Sequence, residues 1–492
     1  AKKCCDVTVD VRTGELFWDK VLFTTPGVLE DNVFAIRWRS MISGSSQLGR
    51  QMLPSWETTA QYVVDNPSDP NALNGHHVNI RRPTGRLDRF NWNGAAYAAP
   101  SDVFDALTKN GSGNYVLTDK WGNAWVFDSR GMPATYTDRN GNQAAFTYDA
   151  NYKLTALTDN RGKSYTIAHN ANNYISSITD PCGRQWSFGY DASDNLTTIT
   201  TPTTPDQTSG ITMTLGYDGQ NRLTSFTDGR GNTVWGFGYL GTSGQTSSVT
   251  IGSNSVGYSY SSGVTTRTDR KGHVHKLYHS GQQITKTETV VASTPKYVTL
   301  RYYSGVFPSY TVFPRGNRID VTFDANGDLT EQRHRTTDTN VNDTTDIVHQ
   351  WGYNSANFMT SYTDPLGNQT TYGRDSAGNL TSVTHPTVTN PTTQTASRSY
   401  TYNTKGQLTQ ATDEEGRVVA YTYYTTGNSS DLLQKEEVDP TGLDLETAYT
   451  YDTCGNTATI TDPNGHSRTM TWDNLGRLKQ DDAPSALGYS AK

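Results

Sequence analysis

The sequence lacks long apolar runs, basic clusters and recognisable catalytic motifs. No stretch approaches the roughly 18 apolar residues that a membrane-spanning helix requires. The net charge is only -7 over 492 residues, and the absence of a Lys/Arg-rich run argues against nucleic acid as a partner. Neither a GxSxG motif nor a P-loop is present. The chain is therefore not expected to be an enzyme, and no catalytic residue or cofactor site is assigned.

Cysteine is also scarce, with four residues in the whole chain: Cys4, Cys5, Cys182 and Cys454. The vicinal pair cannot easily bridge to itself, and the other two fall in predicted turns far apart in the sequence. This spacing predicts no disulfide framework. Zinc needs four ligands brought together, and no C-x-x-C motif is present. We expect neither a structural metal nor a cofactor.

What the sequence does contain is Tyr, Thr and Gly. Only 33% of residues are hydrophobic, yet 11% are aromatic, and the chain has 29 Tyr and 44 Gly. A low aliphatic content alone would suggest disorder. Abundant Tyr and Thr interrupted by Gly instead predict many short strands joined by tight turns.

Two short motifs alternate along the chain and recur about every 21 residues. One is an aromatic residue followed by Asp, and the other is Thr-Asp-x-x-Gly. Examples of the first are Phe146-Thr147-Tyr148-Asp149, Phe188-Gly189-Tyr190-Asp191, Tyr449-Thr450-Tyr451-Asp452 and Met470-Thr471-Trp472-Asp473. Examples of the second are Thr137-Asp138 to Gly141, Thr158-Asp159 to Gly162, Thr179-Asp180 to Gly183 and Thr461-Asp462 to Gly465.

Each part of the repeat has a physical reason. Aromatics two positions apart point to one face of a strand and predict cross-strand ladders. The Asp can accept hydrogen bonds from backbone N–H groups further on and so close a turn, and Gly supplies a positive φ. We therefore assign ten residues as structural repeat anchors: Tyr148, Asp149, Tyr190, Asp191, Tyr217, Asp218, Tyr451, Asp452, Trp472 and Asp473.

These units resemble the RHS/YD-repeat family, which includes bacterial RHS proteins, toxin-complex shell components and teneurins. The resemblance covers about residues 115–480 and rests on units such as Arg374-Asp375 to Thr381 and Trp472-Asp473 to Leu478. It implies an all-β fold: a long antiparallel sheet of YD repeats coiled into a hollow shell, barrel or tube. We expect residues 115–492 to form this array, as an open shell or a narrow tube.

The first 114 residues lack the repeat but resemble the segment that precedes it in bacterial RHS proteins. The resemblance rests on Val11-Arg12-Thr13-Gly14-Glu15-Leu16 and Arg37-Trp38-Arg39-Ser40. We expect residues 1–114 to form a β-rich, cap-like segment. The chain starts without Met or an apolar signal segment, so either processing removed a leader or the chain is a fragment.

Histidine offers the best candidate for metal binding. His273 and His275 would face the same way on a strand, and His279 follows Tyr278. His273 also follows a turn at a position where other units carry Asn or Arg, and zinc needs further ligands. We therefore assign no metal site, and no EF-hand pattern indicates calcium. His76 and His77 are predicted to lie in a solvated loop.

The resemblance implies a structural shell segment that encloses or displays a polypeptide cargo such as a toxin. The family's C-terminal core, with its self-cleaving aspartates, and a toxin domain do not occur before Lys492. The alternative is an extracellular structural or adhesive surface protein that forms tubes or fibres, with glycan binding as one option. Expected partners are an enclosed polypeptide, the rest of the same protein, glycans or cell-surface proteins. The expected location is secreted or at the cell surface of a bacterium.

Overall fold

The computed structural model describes residues 5–290, 296–337, 344–389 and 392–484. Within these ranges every regular element is a β-strand, 44 in all. No helix in the described ranges has the length and apolarity to cross a membrane. The prediction of an all-β chain built around one long antiparallel sheet is confirmed.

Small sheets form the N-terminal part of the chain. Strands β1, β2, β3 and β6 pair in that order, β4 pairs with β5, and a further sheet has the order β10-β9-β8-β7. Their bounds are β1 (Cys5–Val9), β2 (Leu16–Thr25), β3 (Asn32–Arg39), β4 (Ser45–Ser46), β5 (Gly49–Arg50), β6 (Met52–Pro54), β7 (Thr59–Val64), β8 (His76–Arg81), β9 (Leu87–Trp92) and β10 (Tyr97–Ala98).

The remaining 34 strands form a single antiparallel sheet in which every strand pairs with its neighbours in the chain. The first half comprises β11 (Ala106–Lys109), β12 (Tyr115–Thr118), β13 (Ala124–Phe127), β14 (Pro133–Thr137), β15 (Gln143–Tyr148), β16 (Leu154–Thr158), β17 (Ser164–His169), β18 (Ile175–Thr179), β19 (Gln185–Tyr190), β20 (Leu196–Thr200), β21 (Thr212–Tyr217), β22 (Leu223–Thr227), β23 (Thr233–Tyr239), β24 (Thr246–Ile251), β25 (Asn254–Ser261), β26 (Val264–Thr268) and β27 (Val274–Ser280).

The second half continues with β28 (Gln283–Val290), β29 (Lys296–Ser304), β30 (Phe307–Val312), β31 (Arg318–Phe323), β32 (Leu329–Arg335), β33 (Ile347–Tyr353), β34 (Met359–Thr363), β35 (Gln369–Arg374), β36 (Leu380–Thr384), β37 (Ser397–Tyr402), β38 (Leu408–Thr412), β39 (Val418–Tyr423), β40 (Leu433–Val438), β41 (Leu445–Tyr451), β42 (Thr457–Thr461), β43 (Ser467–Trp472) and β44 (Leu478–Asp482). Strands β11 and β44 are the two edges of this sheet, which therefore remains open in the described ranges.

A β-bulge recurs in the hairpins that carry the aromatic-Asp motif. In the β15–β16 pair, Thr147 lies opposite Ala156 whereas Tyr148 lies opposite Leu154, so Thr155 is the extra residue. Its hydroxyl donates a hydrogen bond to the carbonyl of Thr147 at 3.2 Å. Bulges increase the local twist of a strand. A Leu-Thr pair repeated in unit after unit therefore bends the sheet at regular intervals.

One face of the long sheet, called the aromatic face below, is continuous from β15 to β43. Cross-strand partners and residues two positions apart connect it from unit to unit. On the early strands it carries Phe146, Leu157, Tyr165, Ile167, Ile178, Trp186 and Phe188, and on the later strands it carries Trp351, Tyr362, Tyr372, Tyr400, Tyr421 and Tyr449.

The N-terminal sheet covers the early part of the aromatic face. Phe23 stacks on Trp186 with ring centroids 3.8 Å apart, and Phe34 lies against Tyr165 at 4.5 Å. Trp18 contacts Phe226 at 5.2 Å. These residues form one buried hydrophobic core with strands β16 to β24. Burial of this apolar surface is the main force that holds the N-terminal sheet on the array.

The long sheet begins at β11, so it includes residues that precede position 115. The sheet of β7 to β10 packs on this beginning through a second, smaller core that contains Phe90, Leu107, Leu117 and Phe127. The division of the chain into residues 1–114 and 115–492 stays a prediction.

Candidate functional site

The aromatic anchors connect each repeat to the one before it. The Tyr190 hydroxyl donates to the carbonyl of Ile175 at 2.7 Å, and the Tyr217 hydroxyl donates to the carbonyl of Leu196 at 2.9 Å. The other three anchors make the same kind of bond, from Tyr148 to Pro133, Tyr451 to Leu433 and Trp472 Nε1 to Thr457. Burial raises the pKa of Tyr190 and Tyr217 far above the usual range.

These hydrogen bonds differ from the ring-on-ring ladder that the sequence suggests. Among the five aromatic anchors, ring contacts in the described residues involve Tyr190 with Tyr174 and Tyr451 with Tyr424. The ring of each anchor still fills space beside the preceding strand, while its polar tip satisfies a backbone carbonyl. Removing one anchor would therefore leave an acceptor unpaired, which is costly where the group is buried.

The anchor aspartates close the turns. One carboxylate oxygen of Asp149 accepts the backbone N–H groups of Asn151 and Lys153, both at 2.9 Å. Asp191, Asp218, Asp452 and Asp473 accept the N–H groups two and four residues on in the same way. The hydrogen bond from the backbone of Lys153 is the main cause that lowers the pKa of Asp149. Whether these ten anchors carry the stability of the array stays a prediction.

The candidate metal-binding histidines lie along one turn and strand. Asp269 Oδ2 lies 3.1 Å from His273 Nδ1 and 3.5 Å from His275 Nε2. The backbone N–H of His279 donates to the carbonyl of Gly263. In the part of the chain that the structure describes, no group of three or more His, Cys, Asp or Glu residues is placed to hold a metal ion.

The prediction that His76 and His77 lie in a solvated loop is wrong. Both lie in β8 and are buried. His76 Nε2 lies 3.0 Å from the Tyr97 hydroxyl, and His77 Nδ1 lies 2.6 Å from Asp65 Oδ2. The neighbouring strands supply these polar partners, so the two imidazoles can be buried without losing their hydrogen bonds.

The sheet coils until its later turns meet its earlier ones. We call β12 to β21 the first coil, β31 to β44 the second coil, and the line where their turns touch the seam. At one end of the seam, Lys120 Nζ forms an ion pair with Asp328 at 2.7 Å. Further along, Asn142 donates to the carbonyl of Lys405 at 2.9 Å, and Asn379 donates to Asn140 at 2.8 Å.

Arg161 makes the most extensive polar contact at the seam. Its Nε and Nη2 each donate at 2.9 Å, to the carbonyls of Ser430 and Asn428. Its Nη1 donates to the carbonyl of Pro26 at 3.3 Å. The guanidinium of Arg161 thus joins the N-terminal segment, the first coil and the second coil through several donors in a fixed geometry.

A disulfide between Cys182 and Cys454 completes the seam. The two Cα atoms are 5.2 Å apart, although 272 residues separate the cysteines in the chain. The expectation that these cysteines take no part in a disulfide framework is therefore corrected. Each lies in a turn, and the coiling of the sheet brings the two turns together. Cys4 lies outside the described residues.

The aromatic face is buried in the first coil and only partly buried in the second. Tyr165, Ile167 and Ile178 belong to the core beneath the N-terminal sheet. Tyr372 and Tyr400 lie on the same face of the second coil, do not belong to that core, and remain half-buried. Charged side chains interrupt this part of the face, including Arg398, whose Nε donates to Glu414 at 2.6 Å. The second coil thus presents aromatic rings and paired charges on one surface.

Comparison with known proteins agrees with this architecture. The family model described as RHS Repeat matches residues 127–164, 169–205 and 353–387. Among curated proteins, none matches the sequence.

Three solved structures illustrate the likeness, each with 12% sequence identity and a TM-score of 0.51. The TcdB2-TccC3 crystal structure matches 97% of this chain over 29% of its own. The TcdB2-TccC3-Cdc42 structure and the Tc holotoxin pore of Photorhabdus luminescens each match 95% of this chain over 24% of theirs. The chain therefore spans less than a third of the length of these structures, and the likeness concerns the fold. It supports a shell-like structural role.

The motifs, the hairpin geometry, the matched repeat model and the coiled sheet agree with one another. The repeat array of this chain therefore belongs to the RHS/YD-repeat family.

Proposed function

We propose that the chain is a shell segment whose second coil holds a polypeptide cargo, such as a toxin, against its aromatic face. The observation that carries this proposal is the difference between the two coils. The same continuous face is packed under the N-terminal sheet in the first coil, and it is half-buried around Tyr372 and Tyr400 in the second.

The composition of this surface suits a polypeptide. Contiguous apolar surface that is not covered marks an interaction site, and Tyr and Trp are enriched where one protein contacts another. Paired charges such as Arg398 with Glu414 give the face polar points between the rings. A surface of this kind can bind an unfolded or inactive segment without demanding one sequence from it.

The proposed setting is outside the cell. A disulfide between Cys182 and Cys454 suits an oxidising compartment, because cytosolic thiols are kept reduced. The role is containment, and we assign no catalytic centre to the chain. The partner is the enclosed polypeptide or the rest of the same protein.

Site-specific photo-cross-linking in the full-length natural protein would test containment. A benzoylphenylalanine at position 372 would replace Tyr372 on the aromatic face, and a matched probe at position 371 would replace the exposed Thr371 on the opposite face. We expect the position-372 probe to capture a polypeptide that mass spectrometry identifies as cargo, and the position-371 probe to capture none. Capture of a neighbouring protein or chain from position 371 alone would instead support the adhesive or fibre-forming role.

A further inference from the structure

Strand β7 is an edge strand whose outer backbone groups are available. In its pairing with β8, Tyr62 lies opposite Val78 and Val64 lies opposite His76. The N–H of Asp65 donates to the carbonyl of Gly75, which continues the same register. Residues of an antiparallel strand alternate between bonding inward and pointing outward. The N–H and C=O groups of Tyr62 and Val64 therefore point away from β8.

The same edge already takes a hydrogen bond at Ala60, two residues before Tyr62. Its N–H donates to the carbonyl of Gly131 at 2.8 Å. Gly131 comes so close that a Cβ built there would lie 1.7 Å from the carbonyl oxygen of Ala60. For Tyr62 and Val64, the described residues supply no such partner. The edge is thus occupied at Ala60 and free beyond it.

A cleft of about 850 Å³ lies along this edge. Strand β7, the β11–β12 turn and the β13–β14 turn form its walls, with Lys109, Asn114 and Arg130 among the lining residues. Asp128 already binds Arg130, and Lys109 lies over the ring of Tyr115 at 4.8 Å. The volume falls within the range of roughly 300–1,000 Å³ that ligand sites occupy.

The floor of the cleft contains a carboxylate with one oxygen unbound. Arg81 Nη2 donates to Glu57 Oε1 at 2.9 Å. Glu57 Oε2 is buried and has no hydrogen-bond partner. Burial raises the pKa of Glu57, which means that the ionised form is short of partners. A buried polar atom without a partner is destabilising, so this oxygen favours a ligand that brings a donor.

We propose that this cleft binds an extended polypeptide segment, which adds to β7 as a further strand and places a Lys or Arg side chain at Glu57. Only an extended backbone offers N–H and C=O groups at the spacing that Tyr62 and Val64 present, and this is the mode by which peptides add to sheet edges. A cationic side chain supplies the donor that Glu57 Oε2 lacks. The exposed ring of Tyr62 borders the same cleft and gives the segment an apolar contact.

A phage-displayed library of random heptapeptides, selected on the whole chain, would test the proposal. Enriched peptides would be synthesised and their affinities measured for the wild type, Tyr62→Ala and Tyr62→Pro. Both variants lose the ring, but only proline removes the outward N–H, which the β7–β8 ladder does not use. We expect Tyr62→Pro to bind at least about tenfold more weakly than Tyr62→Ala. Equal binding to the two variants, or no enrichment, would overturn strand addition.

The Glu57→Gln variant tests the cationic position separately. We expect wild-type protein to select Lys or Arg at one peptide position and Glu57→Gln to lose that preference. Selection of the same residues by both proteins would overturn the role of Glu57. If Tyr62→Pro does not fold, selected peptides with single N-methylated backbone amides replace it. At least one such methylation is then expected to abolish binding to the wild type, and unchanged affinity of every methylated peptide would count against the proposal.

Discussion

Single carboxylates organise the turns by binding backbone rather than by doing chemistry. Asp191 accepts the N–H groups of Ser193 and Asn195, both at 2.9 Å. At an equivalent turn, Asn354 accepts the N–H groups of Ala356 and Phe358, both at 3.0 Å. An amide oxygen therefore performs the same task as a carboxylate. The oxygen and its position matter more than the charge.

Substitution at Asp191 separates these two properties. We expect Asp191→Ala to lower the free energy of unfolding by roughly 1–3 kcal/mol, because two backbone donors lose their acceptor. Asp191→Asn keeps an acceptor oxygen at the same place and is expected to cost much less. Urea-induced unfolding, followed by circular dichroism, would compare the variants. Equal losses would show that the charge of Asp191, and not its oxygen, holds the turn.

The tyrosines predict an alkaline limit to stability. Burial, aided by the nearby Tyr449, raises the pKa of Tyr451 to about 12, whereas an unfolded tyrosine titrates near pH ~10. Because the folded pKa is the higher one, this contribution is complete below the unfolded pKa and is lost as pH rises through the folded one. We expect the circular dichroism signal to hold up to about pH 10 and to fall between there and pH 12. Tyrosinate absorbance should appear over the same interval, and ionisation of all tyrosines in an intact fold would contradict the prediction.

At the scale of strands and turns, the repeat could be read from the sequence because its determinants are local. Turn chemistry depends on Asp, Gly and their spacing, and these lie within five residues of each other, as in the turn from Asp180 to Arg184. The extra residue of the bulge also has a local signal, since Thr155 and Thr197 follow Leu and donate to the carbonyl of the opposite strand. The sequence thus contains the hairpin almost completely.

What the sequence does not reveal depends on contacts between distant elements. The bond from Tyr190 to Ile175 requires the preceding repeat to lie at a particular offset. The burial of His77 depends on Asp65, a partner supplied by the hairpin partner of its strand. The disulfide depends on the number of strands in one coil, which small bends accumulate over many units. Two cysteines in similar turns were the only signal for it, and spacing alone could not pair them.

Across the whole molecule, the two coils differ in how well they are packed. In the first coil, Tyr165 and Ile178 are fully buried under the N-terminal sheet. In the second, Tyr372 and its neighbours remain half-buried. Local opening is easier where fewer apolar contacts are lost.

Hydrogen exchange should therefore divide the array into two parts. We expect backbone amides in β17 and β18 to exchange at least about tenfold more slowly than those in β35 and β36, because opening the first coil exposes a buried core. Mass spectrometry of peptic fragments would measure the difference. Similar protection in both regions would mean that the seam, and not the core under the N-terminal sheet, sets local stability.

The disulfide should stabilise the coil against unfolding. In the chain-entropy view, cross-linking a loop of this length contributes about 5 kcal/mol, although repeats that unfold in pieces would reduce the effect. We expect reduction to lower the urea midpoint of the wild type, and a Cys182→Ser/Cys454→Ser double variant to show the lower midpoint with or without reductant. A double variant whose midpoint equals that of the oxidised wild type would show that the polar seam contacts suffice.

The bond between Cys182 and Cys454 also determines how the chain would carry a mechanical load. If the two ends of the protein were pulled apart, tension would pass through the two sulfur atoms and bypass the 272-residue interval between them. That interval stores a contour length on the order of 900 Å, given about 3.3–3.6 Å per extended residue. While the bond is intact, this length cannot be drawn out, and whatever the interval surrounds stays surrounded under force. A reductant would release it in a single covalent event.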